Sequence, residues 1–493
     1  MFSFFEKPCA NKGFHSISAN SVQKLKMKAM WHNGYRRLSY KEYKKEKFSI
    51  ILLVESSVVK MCVKVLDSRV VQKHFSPRFL YLFFWKSCEN ARFLTKDGVA
   101  WAMNQIYLDN AATTKPLDDV VNAMMPYLKE EYGNPGAIYS LGKEARDAVG
   151  EARSKVAEFF GCEPEQVIFT SGGSEGNNFV FRGLSEYLRW KHKMHILVSS
   201  VEHDSVLHAA SALAKDGFEV EYIPVSPTGE VRVSDVENMI RKETGLVSVM
   251  YVNNETGTVN PVEDIGAVCA KRGVLFHADC VQAAGAHKID VRRIGCDFAT
   301  MSGHKIHSVK GVGAIFVKEV DRLNPLIYGG AEQEFGYRGG TENVPGIVAL
   351  GKACEISNAS IHENMIKVST TKQIFYATLK ETLEGFGLGD ILHINGPSPV
   401  VPGKILNVRL DGVDAQTLLL LLSAKDIFVS AGSACRSHEA EPSHVLTAMG
   451  LSRDEARSSI RVSFSTMNTR DEVIEAAKFT AECASILIGY SEE

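Results

Sequence analysis

Four short stretches of this 493-residue chain combine residue types that chemistry can use. The run Thr170-Ser171-Gly172-Gly173-Ser174-Glu175-Gly176 is small and rich in hydroxyls, so its backbone N–H groups can come close to an anion where a helix starts. A plain turn with a helix cap has the same composition, and the Gly-Lys-Ser/Thr of a nucleoside triphosphate loop is missing. Val201-Glu202-His203 ends in a planar ring that could stack on a flat ligand or serve the structure alone. In Phe276-His277-Ala278-Asp279-Cys280-Val281-Gln282 an acid closes an apolar run, which is costly to bury unless a cation meets it. Met301-Ser302-Gly303-His304-Lys305 ends in an amine, and a lysine drawn out of water loses basicity and becomes nucleophilic toward an aldehyde. Taken singly, each stretch also reads as ordinary surface or ion-paired chain.

The elements between these stretches decide whether they can meet. Short apolar runs recur at Val167–Thr170, His195–Ser199, Glu219–Ile223, Leu246–Tyr251, Val274–His277 and Phe298–Met301, and they predict buried parallel strands. Helical patterns lie between them at Glu175–Trp190, Val206–Lys215, Val233–Lys242 and Val262–Lys271. Strand and helix in alternation predict a doubly wound α/β domain, in which ligands bind outside the carboxyl ends of the strands. All four stretches sit at such ends. Together they supply an anion cradle, a stacking ring, a carboxylate for a ring nitrogen and an amine for an aldehyde, the parts a pyridoxal 5'-phosphate site requires.

The net charge of −2 averages two unlike segments. Residues 1–102 carry a net +12 and the other 391 a net −14, so the front is a basic extension and the rest an acidic globular chain. The extension has three readings: a segment upstream of a natural start at Met103, an organelle-targeting extension, or an arm for polyanions. Its apolar bursts, Phe48–Val54 and Phe79–Trp85, fall well short of the roughly 18 apolar residues of a membrane span, so no membrane segment is expected. Ten cysteines without a C-x-x-C pair point to a reducing compartment. The expected location is cytoplasmic, or organellar if residues 1–102 are a targeting extension.

From residue 104 to 488 the chain resembles cysteine desulfurases of the NifS/IscS type, in the class V branch of fold-type I pyridoxal phosphate enzymes. The resemblance rests on Tyr107-Leu108-Asp109-Asn110-Ala111-Ala112-Thr113-Thr114, Gly133-Asn134-Pro135, the glycine-rich turn and Val252-Asn253-Asn254-Glu255-Thr256-Gly257. It continues in Ser302-Gly303-His304-Lys305, Arg338-Gly339-Gly340-Thr341 and Ser430-Ala431-Gly432-Ser433-Ala434-Cys435. It implies an α/β fold with a mostly parallel sheet in a large cofactor-binding domain, residues 118–360. A smaller α+β domain would combine 103–117 with 361–493 and carry the cysteine loop. The family pattern departs at Ala137-Ile138-Tyr139, where many members have a histidine, and at Gly173-Ser174, where Ala-Thr is common.

Roles follow from the resemblance position by position. Lys305 would hold the cofactor aldehyde covalently, Asp279 would keep the pyridine nitrogen protonated, and Asn254 and Gln282 would bond the ring hydroxyl. His203 would stack on the ring and help move protons. Gly173, Ser174, Ser302 and His304 would hold the phosphate, and Thr341 would reach the phosphate of a neighbouring subunit, which implies a homodimer. Arg461 would grip the substrate carboxylate, a task suited to its planar fork. Neither a membrane nor nucleic acid is expected as a partner.

Cys435 lies between small residues and the polar stretch Arg436-Ser437-His438-Glu439, in what reads as a loop. Arg436 and His438 would favour the reactive thiolate. The Cys435-x-x-His438 spacing has no second ligand pair at finger-like spacing, so no metal site is expected. The implied activity converts L-cysteine to L-alanine and leaves a persulfide on Cys435, for delivery to acceptors such as iron–sulfur scaffold proteins. A selenocysteine lyase would use the same residues, and a class V aminotransferase would need no loop cysteine. The Cys435→Ser variant is expected to keep the yellow cofactor absorption and lose sulfide release from cysteine, measured by visible spectroscopy and a sulfide assay.

Overall fold

The computed structural model describes residues 49–55, 58–64, 105–431 and 442–491. The chain divides into two compact units, Met1–Ala102 and Met103–Glu493. In the first, strands β1 (Ser49–Glu55) and β2 (Val58–Lys64) pair antiparallel as a hairpin, from Ser49 opposite Lys64 to Glu55 opposite Val58. The other features expected of residues 1–102, Phe79–Trp85 among them, lie outside the described residues. Among the described residues no helix is long and apolar enough to cross a membrane.

The second unit is built around a seven-stranded sheet. After the short β3 (Ile106–Tyr107), its strands are β4 (Val167–Thr170), β5 (His195–Ser199), β6 (Glu219–Ile223), β7 (Thr244–Ser248), β8 (Leu275–Asp279), β9 (Phe298–Ser302) and β10 (Gly313–Val317). They lie in the order β4-β10-β9-β8-β7-β5-β6. All run parallel except β10, which is antiparallel to both of its neighbours. Helix α1 (Ser140–Phe160) precedes the sheet's first strand, and α2 (Gly173–Trp190), α3 (Asp204–Lys215), α4 (Val233–Met239) and α5 (Val262–Arg272) supply the crossovers. Crossover helices cover both faces, and two separate apolar clusters mark those faces.

The expected strands are present with their ends shifted by a few residues, and two features differ from the sequence reading. Strand β6 is at the sheet edge and buries only Ile223, leaving Glu219 and Tyr222 exposed, whereas a buried strand was expected. Charged residues on an edge strand discourage pairing with other chains. Strand β10 follows the Gly311-Val312-Gly313 turn and reverses direction to fill the gap between β4 and β9. Its Gly313 lies so near Gly172 that a Cβ would fall 2.7 Å from the Gly172 Cα. That close approach brings the glycine-rich turn against β9 and β10.

Further along the chain come α6 (Val344–Ala359), α7 (Ile361–Gly385), β11 (Leu392–Ile394), β12 (Ile405–Leu410), α8 (Ala415–Ser423), β13 (Ile427–Phe428), α9 (His444–Ala448), β14 (Ser459–Ser463) and α10 (Arg470–Ser491), among shorter helices. Strands β11, β12 and β14 form an antiparallel sheet, and β13 pairs parallel with β3. Phe375, Leu406, Val408, Ile460, Val462 and Phe464 centre a third apolar cluster, to which Ile106 and Leu108 also belong.

One buried ion pair ties helix α1 to the sheet. Arg153 meets both carboxylate oxygens of Glu334 at 2.6 and 2.9 Å and donates to the Val167 carbonyl at 2.7 Å. The Phe169 N–H donates to Glu334 Oε2 at 2.7 Å, and the guanidinium lies over the Phe169 ring. Glu334 and Phe335 hold φ of 43° and 57°, a left-handed conformation unfavourable for residues with a Cβ. The pair holds that turn in place. Removing one partner leaves an uncompensated buried charge, so Glu334→Ala should lose about 3–5 kcal/mol of stability in urea unfolding.

Candidate active site

The expected amine is at the end of β9. Lys305 closes a short 3-10 turn, Gly303–Lys305, and its Nζ donates to the Ala111 carbonyl and, at 2.9 Å, to the Ala112 carbonyl. Burial lowers it from the usual lysine range to about 8; the positive charge of Arg461 adds to the effect, and Asp109 and Asp279 oppose it. Gln282 Nε2 donates to the same Ala111 carbonyl at 2.9 Å. The Asp109–Thr114 stretch is therefore a shelf on which Lys305 and Gln282 converge.

Arg461 comes from β14, far away in sequence. One of its nitrogens donates to Asp109 Oδ1 at 2.8 Å and another to the Asn254 carbonyl at 3.0 Å. Its Nε is buried with no hydrogen-bond partner among the described residues. Asn254 Oδ1 and Gln282 Oε1 are likewise buried and unpartnered there. Buried polar atoms of this kind are uncommon in native proteins, and several together call for a polar ligand.

Asp279 ends β8 almost fully buried. Its two oxygens accept from Val281 N–H at 2.9 Å and Asn177 Nδ2 at 2.8 Å. His203 caps α3, and Ser174 sits exposed in the first turn of α2; together they line a cavity of about 480 Å³ with Ser205 and Asp204. Gly173 is fully packed, and a Cβ there would strike Val281 Cγ2 at 2.7 Å. Ser302 is buried at the end of β9 beside Gly172. His304 turns Nδ1 to Thr113 Oγ1 at 3.2 Å, and burial followed by three lysine charges lowers it to about 4. Arg338 pairs with Glu175 at 2.9 Å, which fastens the Arg338–Thr341 stretch to the start of α2. Thr341 itself is exposed.

Cys435 lies outside the described residues. On its two sides Ser430 pairs with Arg461 through both backbone hydrogen bonds, and the Ser443 hydroxyl donates to Glu255 at 2.5 Å. Of the other expected residues, Lys305, Asp279, Gln282, Asn254 and Arg461 are linked through shared partners or mutual charge, and His203 joins Asp279 through Ser205 and Asn177.

Sequence reasoning passed over several polar residues here. Asn177 follows the glycine-rich turn, and Glu202 immediately precedes His203. Burial, then the charge of Asp279, pushes Glu202 up to about 8, and its Oε1 accepts from Ser199 Oγ at 2.7 Å and Met250 N–H at 2.6 Å. Lys404 sends Nζ toward the Ala284 carbonyl at 3.3 Å. Its signal, a lysine opening an apolar strand, was available in the sequence.

The glycine-rich turn and the unpartnered Asn254 and Gln282 oxygens fit pyridoxal phosphate: a helix N-terminus free of side-chain bulk for the phosphate, and polar atoms for a ring substituent. The sequence matches the family described as aminotransferase class V over residues 106–475. A cysteine desulfurase IscS from Methanosarcina thermophila is 41% identical over 377 residues, 76% of this chain and 91% of that protein. A solved NifS-like protein superimposes with a TM-score of 0.71 at 34% identity, covering 78% of this chain and all of that one. A structure described as SspA in complex with cysteine gives 0.62 at 33%, over 74% of this chain and 99% of that one. The chain belongs to the class V aminotransferases and, within them, to the pyridoxal phosphate-dependent cysteine desulfurases of the NifS/IscS type.

Lys404 gives a clear pH dependence. Burial, with the charge of Lys305, draws it down to about 7, so above that pH the folded chain lacks a proton that the unfolded chain keeps. Stability should therefore rise with pH from about 7 to about 10, by about 1 kcal/mol per pH unit for this one group. Lys404→Met should flatten that part of the rise when urea unfolding is compared at pH about 8 and about 9.5.

Proposed function

We propose that Lys305, Arg461 and Cys435 carry the desulfurase reaction of this chain, and that L-cysteine leaves as L-alanine with its sulfur on Cys435. The observation that carries the reading is the electrostatic coupling of a half-buried, weakened amine with a buried guanidinium. Lys305 Nζ rests on Ala111 and Ala112, while Arg461 keeps an Nε without a partner among the described residues and lowers the lysine's proton affinity. A substrate carboxylate on Arg461 would bring the amino acid's Cα to the lysine.

Pyridoxal phosphate, when bound, would hold the substrate nitrogen and draw electron density away from Cα. Asp279 would face its ring nitrogen, Asn254 and Gln282 its hydroxyl, and Gly173, Ser174, Ser302 and His304 its phosphate. His203 would lie over the ring. Lys305, partly unprotonated near neutral pH, removes the proton from substrate Cα. The Cys435 thiolate attacks the substrate sulfur. An S–S bond forms as the Cβ–S bond breaks, and the electron pair stays with the three-carbon fragment. That fragment takes up protons and becomes alanine, so the sulfur is oxidised to the persulfide level by the carbon it leaves and no external oxidant enters.

The persulfide would then pass to an acceptor protein, with an iron–sulfur scaffold as the proposed class. A homodimer is proposed as well, supported by exposed Tyr132, Ile138, Tyr139 and Tyr328 near the Gly133-Asn134-Pro135 turn and the 328–341 stretch. Thr341 would act across that contact. The same reading assigns 118–360 to a cofactor-binding part and 103–117 with 361–493 to a smaller part, in keeping with their separate apolar clusters.

With L-cysteine and a thiol reductant, the chain is expected to release alanine and sulfide in equal amounts, measured by amino-acid analysis and a sulfide assay. A keto acid in place of alanine would overturn the assignment. Arg461→Lys should raise KM for cysteine by about tenfold or more, because a point charge replaces a fork of charge-assisted hydrogen bonds.

A further inference from the structure

A run of hydrogen bonds leaves Asp279 and ends on the ring of His203. Asn177, buried in α2, uses Nδ2 twice, toward Asp279 Oδ2 at 2.8 Å and Ser205 Oγ at 2.9 Å. Ser205, in the first turn of α3, sets its Oγ 2.8 Å from His203 Nδ1 and points its backbone N–H at the same nitrogen from 3.1 Å. Four residues from three elements are joined, and the proton positions along the run can be worked out from what each group is able to donate.

A backbone N–H can only donate, so His203 Nδ1 is an acceptor and carries no proton. The Asp279 carboxylate accepts, so Asn177 turns its amide nitrogen toward it and both amide hydrogens are committed. Asn177 Oδ1 accordingly finds no hydrogen-bond partner among the described residues. Because Nδ1 is unprotonated, the Ser205 hydroxyl is the donor in its 2.8 Å contact with that nitrogen, while its oxygen receives one Asn177 hydrogen. Each step has one consistent direction, and the ring's single proton is on Nε2.

We propose that Asn177 and Ser205 are positioning residues that lock His203 as the Nε2–H tautomer and fix the plane of its ring. The proposal rests on the reading of His203 as the ring over the cofactor. With Nδ1 occupied, Nε2–H is the edge left without a partner among the described residues, so the resting ring offers a hydrogen bond there and has no free lone pair with which to take a proton. Proton removal at Cα then belongs to Lys305, and His203 serves as a hydrogen-bond donor through Nε2–H. Asn177 also connects the group assigned to the cofactor's ring nitrogen with the one assigned to its ring face, since one amide nitrogen holds the Asp279 carboxylate and, through Ser205, the histidine.

The test uses the full chain labelled with 15N-histidine, with His203 assigned by comparison with a His203→Gln sample. The wild type should show an unprotonated Nδ1 and a protonated Nε2. Ser205→Ala removes the side-chain donor and keeps the backbone one, so it should loosen the ring and weaken the Nε2–H preference, read as a shift of both ring nitrogens. It should also lower kcat for cysteine about fivefold with KM nearly unchanged, the size of effect of one ordinary hydrogen bond. Ser205→Thr, which keeps the hydroxyl, should restore both. A wild-type ring protonated on Nδ1 would overturn the proposal. So would a Ser205→Ala variant unchanged in either ring signature or kcat, or a Ser205→Thr variant as impaired as Ser205→Ala. The ring signature needs neither cofactor nor substrate, so a chain that makes no alanine refutes the functional reading while the nitrogen spectra still decide the relay.

Discussion

A lysine proposed to work unprotonated near neutral pH has to leave water without meeting a carboxylate that would hold the proton on. Here backbone carbonyls solve that conflict. Lys305 hydrogen-bonds to Ala111 and Ala112, dipoles that satisfy the amine and favour its charged form less than a full negative charge would. Asp109 and Asp279 are near enough to pull its proton affinity upward, yet burial and Arg461 outweigh them. Asp109 is occupied by Arg461, and Asp279 accepts from Asn177 and Val281. Much of the surrounding polar structure keeps those two carboxylates engaged elsewhere.

That arrangement needs parts from both sheets. The Asp109–Thr114 shelf is fastened to β14, since Ala111 N–H donates to Ser463 Oγ at 2.8 Å and Asn110 Nδ2 to the Ser463 carbonyl at 2.9 Å. On its other side Thr114 bonds the His304 carbonyl, one residue before the lysine. Asn407 of β12 reaches the Glu255 carbonyl, and Glu255 in turn accepts from Ser443. Arg461 and the flanks of the Cys435 segment are thus held by the same bonds that join the small sheet to the large one. A shift between the sheets would disturb the amine, the guanidinium and the cysteine segment together, and this couples the fold to the proposed chemistry more tightly than any single contact.

Much of this was legible along the chain. The alternation of apolar runs and amphipathic stretches identified six strands of the large sheet and their crossover helices, because burial on both faces leaves a local mark. The placement of Lys305 was legible because it follows closely on a buried strand, and that of Asp279 because it closes an apolar run. The exposure of β6 was not legible, since an edge strand and a central one can share a composition and differ only in what lies beside them. Strand β10 was hidden by its glycines, and its reversed direction depends on which gap in the sheet remains to be filled.

Residue types, local periodicity and the short motifs were determined by the sequence alone: which segments become strands, which polar groups stand at their ends, and the chain's family. Tertiary structure decided the proton states and partnerships. Arg461 meets Asp109 across some 350 positions of chain, Lys404 lies buried near enough to Lys305 for its own proton affinity to fall, and Asn177 lies between Asp279 and Ser205. The reason is physical. Helix and strand preferences act between near neighbours in sequence, whereas hydrogen bonds, charge coupling and desolvation depend on distance in space, which exists only once the chain has folded.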